Sequence, residues 1–397
     1  MTRVGPNPPS RPDGPDAVAR RRQRAAEMRR RQLVYRRRRT VLVASLLGAA
    51  GVLAGLLASS GPGRHAPAPA PTASSPSYRT THVTQPGATT PPPATTRPVA
   101  TSQPAAVAPA AVGSVAITVA DPRGAVPVQL YFPAARAGAA TVSPAGAPYP
   151  LIVFSPGYDI DPAAYTPLMD AWAAARYVVA VPTYQGTAPG DPNGLDEADI
   201  VNHPADLHAV IDQILALSAA PGGLLGGMVD PGRLGVAGHS DGGDVTDAVV
   251  SNSCCRDPRI KAAAVLAGAE LTSFGGTYSA PSVPLLVAQG DADPINVPAC
   301  SEQIYDGAGA PRYYLDLHGA QHHTPYMSAP YSGPPTAAAP EYRQAVVTVS
   351  VLFWQAYLRQ DAAALSQLAG WSGAGSAATL YAGAPVTIGG ACPGAPG

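Results

Sequence analysis

Six residues constrain this chain more than any other stretch: Gly238-His239-Ser240-Asp241-Gly242-Gly243. They fit the pattern G-x-S-x-G. The apolar run Leu234–Ala237 in front reads as a strand, and Asp244–Val250 behind begins a helix. A strand reversing into a helix within so few residues needs a very tight turn. A Cβ at Gly238 or Gly242 would clash with the neighbouring strand and helix, and the turn lifts the Ser240 side chain to the strand tip. The helix N-terminus beyond it favours negative charge developing near that serine.

A serine hydroxyl is a weak nucleophile. It needs a base, and the base needs an acid to orient it. Downstream, the apolar run Pro284–Gln289 enters a loop holding Asp291 and Asp293. Further on, Tyr313–Leu317 reads as a strand and is followed by His318, His322 and His323. Spacing alone leaves two acids and three bases open. The order serine, acid, histidine is nonetheless that of a nucleophile elbow followed by its partners, each at a strand end.

The surrounding pattern is that of an α/β domain, with short apolar β-rich runs alternating with helical ones. Val115–Val119 and Val128–Phe132 read as opening strands, Leu151–Phe154 as a buried strand, and Tyr177–Val181 and Ile260–Leu266 as further strands. Helical patterns cover Pro162–Ala175, Pro204–Leu217 and Glu341–Leu358. No internal repeat is visible.

These segments resemble the α/β-hydrolase superfamily over about residues 113–360. Within it they are most similar to secreted bacterial esterases and cutinase-like polyester hydrolases, and to the group of platelet-activating-factor acetylhydrolases and dienelactone hydrolases. The resemblance implies an α/β-hydrolase fold with a mostly parallel central sheet flanked by helices. It places the nucleophile at Ser240, the acid at Asp293 (in G-x-x-D) and the base at His322 (in G-A-x-H), with Asp291 and His323 as the alternates. His318 is expected in or beside its strand. Dienelactone hydrolases carry Cys where this chain has Ser240. The loop Ser155-Pro156-Gly157-Tyr158 is similar to the family's S-P-G-aromatic loop, which implies oxyanion-binding backbone N–H groups at Tyr158 and Asp241. An acidic Asp241 beside an oxyanion is electrostatically unexpected, so its side chain is expected to point outward.

The N-terminal third lies largely outside this pattern. Residues 1–39 carry 13 Arg, leaving the remainder with 13 basic against 23 acidic residues, a balance that argues against nucleic acid as a partner. Residues 1–40 read as a basic cytoplasmic segment and 41–60 as a signal anchor or signal peptide, since Val41 to Ala58 is an uncharged apolar run of spanning length. The Pro/Ala/Thr-rich stretch 61–112 reads as a disordered spacer, 113–370 as the hydrolase domain, and 371–397 as a Gly/Ala-rich tail. The domain is therefore expected outside the cell, membrane-anchored or secreted. There Cys254, Cys255, Cys300 and Cys392 can form disulfides, and one of the first two is expected to pair with Cys300 or Cys392.

Among weaker features, the loop from Asp191 to Asp199 lacks the spacing of a calcium loop and reads as solvated. His203 and His208 read as helix-surface residues, and Trp172, Trp354 and Trp371 as packing residues. The reading is a serine hydrolase that cleaves carboxylic esters through an acyl-enzyme. Its substrate would be a small, lipid or polyester ester, and no metal or organic cofactor is called for. An envelope acyltransferase and a tethered binding module are the alternatives.

Overall fold

The structure, a computed structural model, describes residues 109–309, 311–328, 339–373, 375, 377–387 and 389–392. The basic segment, the apolar run at 41–60 and the spacer up to residue 108 lie outside the described residues. Among those described, no helix is long and apolar enough to cross a membrane.

Nine strands among the described residues form one sheet: β1 (Ala111–Val119), β2 (Val126–Ala134), β3 (Tyr149–Ser155), β4 (Val178–Pro182), β5 (Val229–His239), β6 (Ile260–Leu266), β7 (Leu285–Gly290), β8 (Arg312–Leu317) and β9 (Ala378–Ala382). Their order is β1-β2-β4-β3-β5-β6-β7-β8-β9. β4, β3, β5, β6, β7 and β8 run parallel, while β1, β2 and β9 pair antiparallel at the edges. Parallel strands are joined by crossovers that place helices on both faces, so their central stretches are apolar. Every residue of β3 and of β4 is buried.

Alternation along β3 feeds two separate cores. Leu151 and Val153 pack on one face with Leu207 and Ile211 of α2 (His203–Ala219) and with Val245 and Val249 of α3 (Asp241–Ser251). Ile152 and Phe154 pack on the other face with Trp172 of α1 (Thr166–Ala174) and with Phe353 and Trp354 of α5 (Ala339–Leu358). Each such side chain withdrawn from water contributes about 1.5–3 kcal/mol. The single helix expected over Pro162–Ala175 is a 3₁₀ turn, Pro162–Tyr165, running into α1; the Asp161 carboxylate caps the turn by accepting from the Ala163 N–H.

Three expectations are corrected. The stretch after residue 370 is more than a tail, because β9 pairs with β8 along its full length and closes that sheet edge. The cysteines pair as Cys254–Cys255 and Cys300–Cys392. α3 leaves the carboxyl end of β5, and its 11 residues carry the chain about 16 Å back along the strands before Cys254 and Cys255. Cys300 lies in the first turn of α4 (Pro298–Gly307), near the carboxyl ends, where the returning chain brings Cys392 beside it and the Gly389 N–H donates to Glu302. Finally, His203 is not on the surface. It is 1% exposed and stacked on the Tyr184 ring, and burial pushes its imidazole down to about 3.

Candidate active site

The carboxyl ends of β3, β5, β7 and β8 lie along one rim of the sheet, and each candidate side chain follows one of them. Ser240 sits between β5 and α3 at φ 57° and ψ −125°, a backbone that a non-glycine residue holds only when its surroundings impose it. Those surroundings are specific. The Ser240 N–H donates to the Leu266 carbonyl (3.0 Å), and the Gly243 and Asp244 N–H groups close onto the Ser240 carbonyl (2.7 and 3.0 Å). A Cβ on Gly238 would run into the Gly242 carbonyl, and one on Gly242 into the Ser155 carbonyl. The two glycines thus let elbow, helix and β3 touch backbone to backbone.

The Ser240 hydroxyl lies 2.8 Å from His322 Nε2, and His322 Nδ1 lies 2.6 Å from Asp293 Oδ2. These residues come from points 82 and 29 positions apart in sequence. They meet because β7 and β8 pair in parallel, which sets their end loops side by side; the Ala292 N–H donates to the Ala320 carbonyl at 3.1 Å. Asp293 accepts two further bonds, from Gln289 Nε2 (3.1 Å) on Oδ2 and from the Ile295 N–H (2.8 Å) on Oδ1, and the Ser301 hydroxyl in turn donates to the Gln289 amide oxygen (2.6 Å). Gln289 and Ser301 carry no sequence signal of their own; a buried glutamine at the end of an apolar strand was the clue available.

The alternates lie elsewhere. Asp291 accepts from the Gly319 N–H at 2.5 Å. His318, just past β8, reaches Thr379 Oγ1 of β9 at 3.2 Å. His323 stands edge-on to the rings of His322 and His239. The loop from Asp191 to Asp199 engages its carboxylates with backbone N–H groups and with Arg123. Asp191 accepts from the Gly186 and Asn193 N–H groups, and Asp199 with Asp206 clamps Arg123 at 2.8–3.1 Å.

The loop after β3 brings Gly157 against Ser240; a Cβ on Gly157 would come 3.0 Å from that of Ser240. The Gly157 N–H is engaged with the Tyr165 hydroxyl (3.2 Å). Asp241 opens α3, whose first N–H groups have no carbonyl within the helix to bind. Its side chain departs from expectation. Oδ2 is enclosed with no hydrogen-bond partner, and burial, reinforced by Glu197, holds the carboxyl well above its ordinary range. The same helix buries Asp244 and Asp247, likewise raised by burial, Asp247 to about 7. A proton on Asp241 removes the charge conflict that an outward side chain was expected to avoid.

Ser240 is 9% exposed. A small cleft opens between the loops after β3 and β4, lined by Pro156, Gly157, Ile160, Tyr184 and Thr187. The arrangement can deliver a serine oxygen to an electrophilic carbon, take up its proton, and offer backbone donors to an oxyanion. The family model described as PET hydrolase-like matches residues 85–333. No curated protein matches the chain.

Proposed function

Because the chain belongs to the PET hydrolase-like family of the α/β-hydrolase superfamily and is an ester hydrolase at that level, we propose that it cleaves carboxylic esters, polyesters among them, with Ser240 as nucleophile. The observation that carries this reading is the continuous hydrogen-bonded run from Ser240 through His322 to Asp293. His322 Nε2 takes the Ser240 proton as Oγ attacks the ester carbonyl. Asp293 holds the Nδ1 proton, which fixes the tautomer and stabilises the imidazolium. The N–H groups of Tyr158 and Asp241 face the developing oxyanion. Collapse expels the alcohol, protonated by His322, and leaves an acyl-serine. Water, deprotonated by the same imidazole, then releases the acid.

The test is turnover of a series of p-nitrophenyl esters and of polyester particles by the full chain and by Ser240→Ala. A loss of about 10⁶-fold in kcat is expected, and a variant that keeps wild-type turnover would sink the assignment. In the same reading, residues 41–60 carry the domain across the membrane, 61–112 hold it away from the surface, and the enzyme works outside the cell. Fractionating cells into membrane, cytosol and medium tests this, because cytosolic activity would contradict it.

A further inference from the structure

Tyr165 and His239 belong to none of the roles above, yet both are fully buried at the centre of the site. His239 Nδ1 lies 2.8 Å from the Tyr165 hydroxyl, and its Nε2 lies 2.9 Å from the backbone carbonyl of His322. The Tyr165 oxygen also receives the Gly157 N–H. For a neutral imidazole, only one arrangement of protons satisfies all three contacts. A carbonyl can only accept, so Nε2 carries the ring proton. Nδ1 of the neutral ring must then accept, so the tyrosine O–H donates to it, which leaves the tyrosine oxygen to accept from Gly157. Burial, with His322 and His323 nearby, pushes the His239 imidazole well below its ordinary value, consistent with a neutral ring.

The geometry points to Tyr165 and His239 as positioning residues that fix the distance between the oxyanion loop and the general base. One imidazole, itself next to Ser240 in the chain, ties three loops together: that of Gly157 and Tyr158, the nucleophile elbow, and that of His322. Holding the Gly157 N–H orients the peptide preceding the Tyr158 donor. Holding the His322 carbonyl sets the backbone from which the base ring reaches Ser240 and Asp293. Neither residue touches the reacting atoms. Their effect runs through the placement of groups that do, and a displacement of about 1 Å at such groups costs roughly 10²-fold in rate. The inference rests on Ser240, His322 and the Tyr158 N–H acting as proposed above.

The experiment measures acylation rate per active site in the full chain, using burst kinetics on a p-nitrophenyl ester with sites titrated by an organophosphonate. Tyr165→Phe keeps the ring and removes both hydrogen bonds. It is expected to slow acylation about 10–100-fold per titrated site, with KM changed less than about threefold. His239→Leu should lose as much, and the double variant no more than either single, because the residues act as one unit. His239→Gln, whose amide can donate to His322 and accept from Tyr165, should recover most of the rate. An unchanged rate per site in Tyr165→Phe, with only the number of active sites or the melting temperature reduced, would overturn the inference. So would additive losses in the double variant. If the wild-type chain and Ser240→Ala are equally inert, the serine-esterase reading itself falls, and this inference with it.

Discussion

Two sets of buried carboxyls flank Ser240, and they are treated in opposite ways. Asp293 lies in a loop that offers it the His322 ring, the Gln289 amide and the Ile295 N–H. The carboxyls of α3 meet no cation. Asp244 receives one backbone N–H, from Ala269; Asp247 receives the Ser251 hydroxyl on one oxygen and nothing on the other; Asp241 Oδ2 has no partner. The three α3 carboxyls are driven toward the neutral form. The difference teaches that burial alone does not decide what a carboxyl does. The donors aimed at it do, and donors come from loops at strand ends far more readily than from a helix, whose N–H groups are already committed beyond its first turn.

The sharpest way to break this contrast is Asp293→Asn. It leaves the shape of the loop but removes the acceptor for the His322 Nδ1 proton, and kcat should fall by about 10³–10⁴-fold in an ester assay. A loss under tenfold would move the acid elsewhere. On the other side of the comparison, Asp247→Asn removes a carboxyl whose proton uptake is coupled to folding. Its folded value of about 7 stands above the ordinary 3.8. Below that range the group is neutral in both folded and unfolded chains and costs nothing. As pH rises through the window only the unfolded chain ionises, so wild-type stability falls, and above about 7 the penalty is complete. The variant should therefore be more stable than wild type by about 2–4 kcal/mol at pH 8 and equal to it near pH 3, as read by denaturant unfolding at the two values.

A smaller effect is expected of Asp241→Asn. Asp241 is raised by burial and by Glu197, so it holds its proton to higher pH than an ordinary carboxyl does. The anion, once formed, opposes the oxyanion beside it. The ratio of variant to wild-type kcat/KM should rise toward alkaline pH, and a ratio independent of pH would show that the Asp241 carboxyl does not influence the reaction. Smallest of all is Asp291→Ala. Its carboxylate is spent on the Gly319 N–H, and activity should change by less than about threefold, whereas a loss matching that of Asp293→Asn would mean the two acids had been assigned in reverse.

Much of the site could be read along the chain because a nucleophile elbow is a local object. Strand, tight turn and helix are written in neighbouring residues, and the two glycines at 238 and 242 are required by contacts within that one unit and with β3. The carboxyl ends of β7 and β8 could likewise be found from their apolar runs. Choosing Asp293 over Asp291, and His322 over His323, needed the resemblance, since one residue's difference in a loop has no period to betray it. α4 and β9 were missed for a related reason. α4 is short, and β9 sits in a Gly- and Ala-rich stretch, its strand identity supplied by pairing with β8.

What the sequence by itself determined is the set of pieces whose physics is short-range: a parallel α/β sheet, a tight strand-to-helix turn bearing Ser240, and the proposed acid and base in order at strand ends. Only the tertiary structure decided which distant groups meet. Cys300 pairs with Cys392 across 92 residues, Tyr165 reaches His239 across 74, and one carboxyl oxygen of Asp241 is enclosed. Each of these depends on which elements pack against each other. Burial and hydrogen bonding act through space, where separation along the chain has no meaning, and so set the protonation and partners of a side chain that its neighbours in sequence leave open.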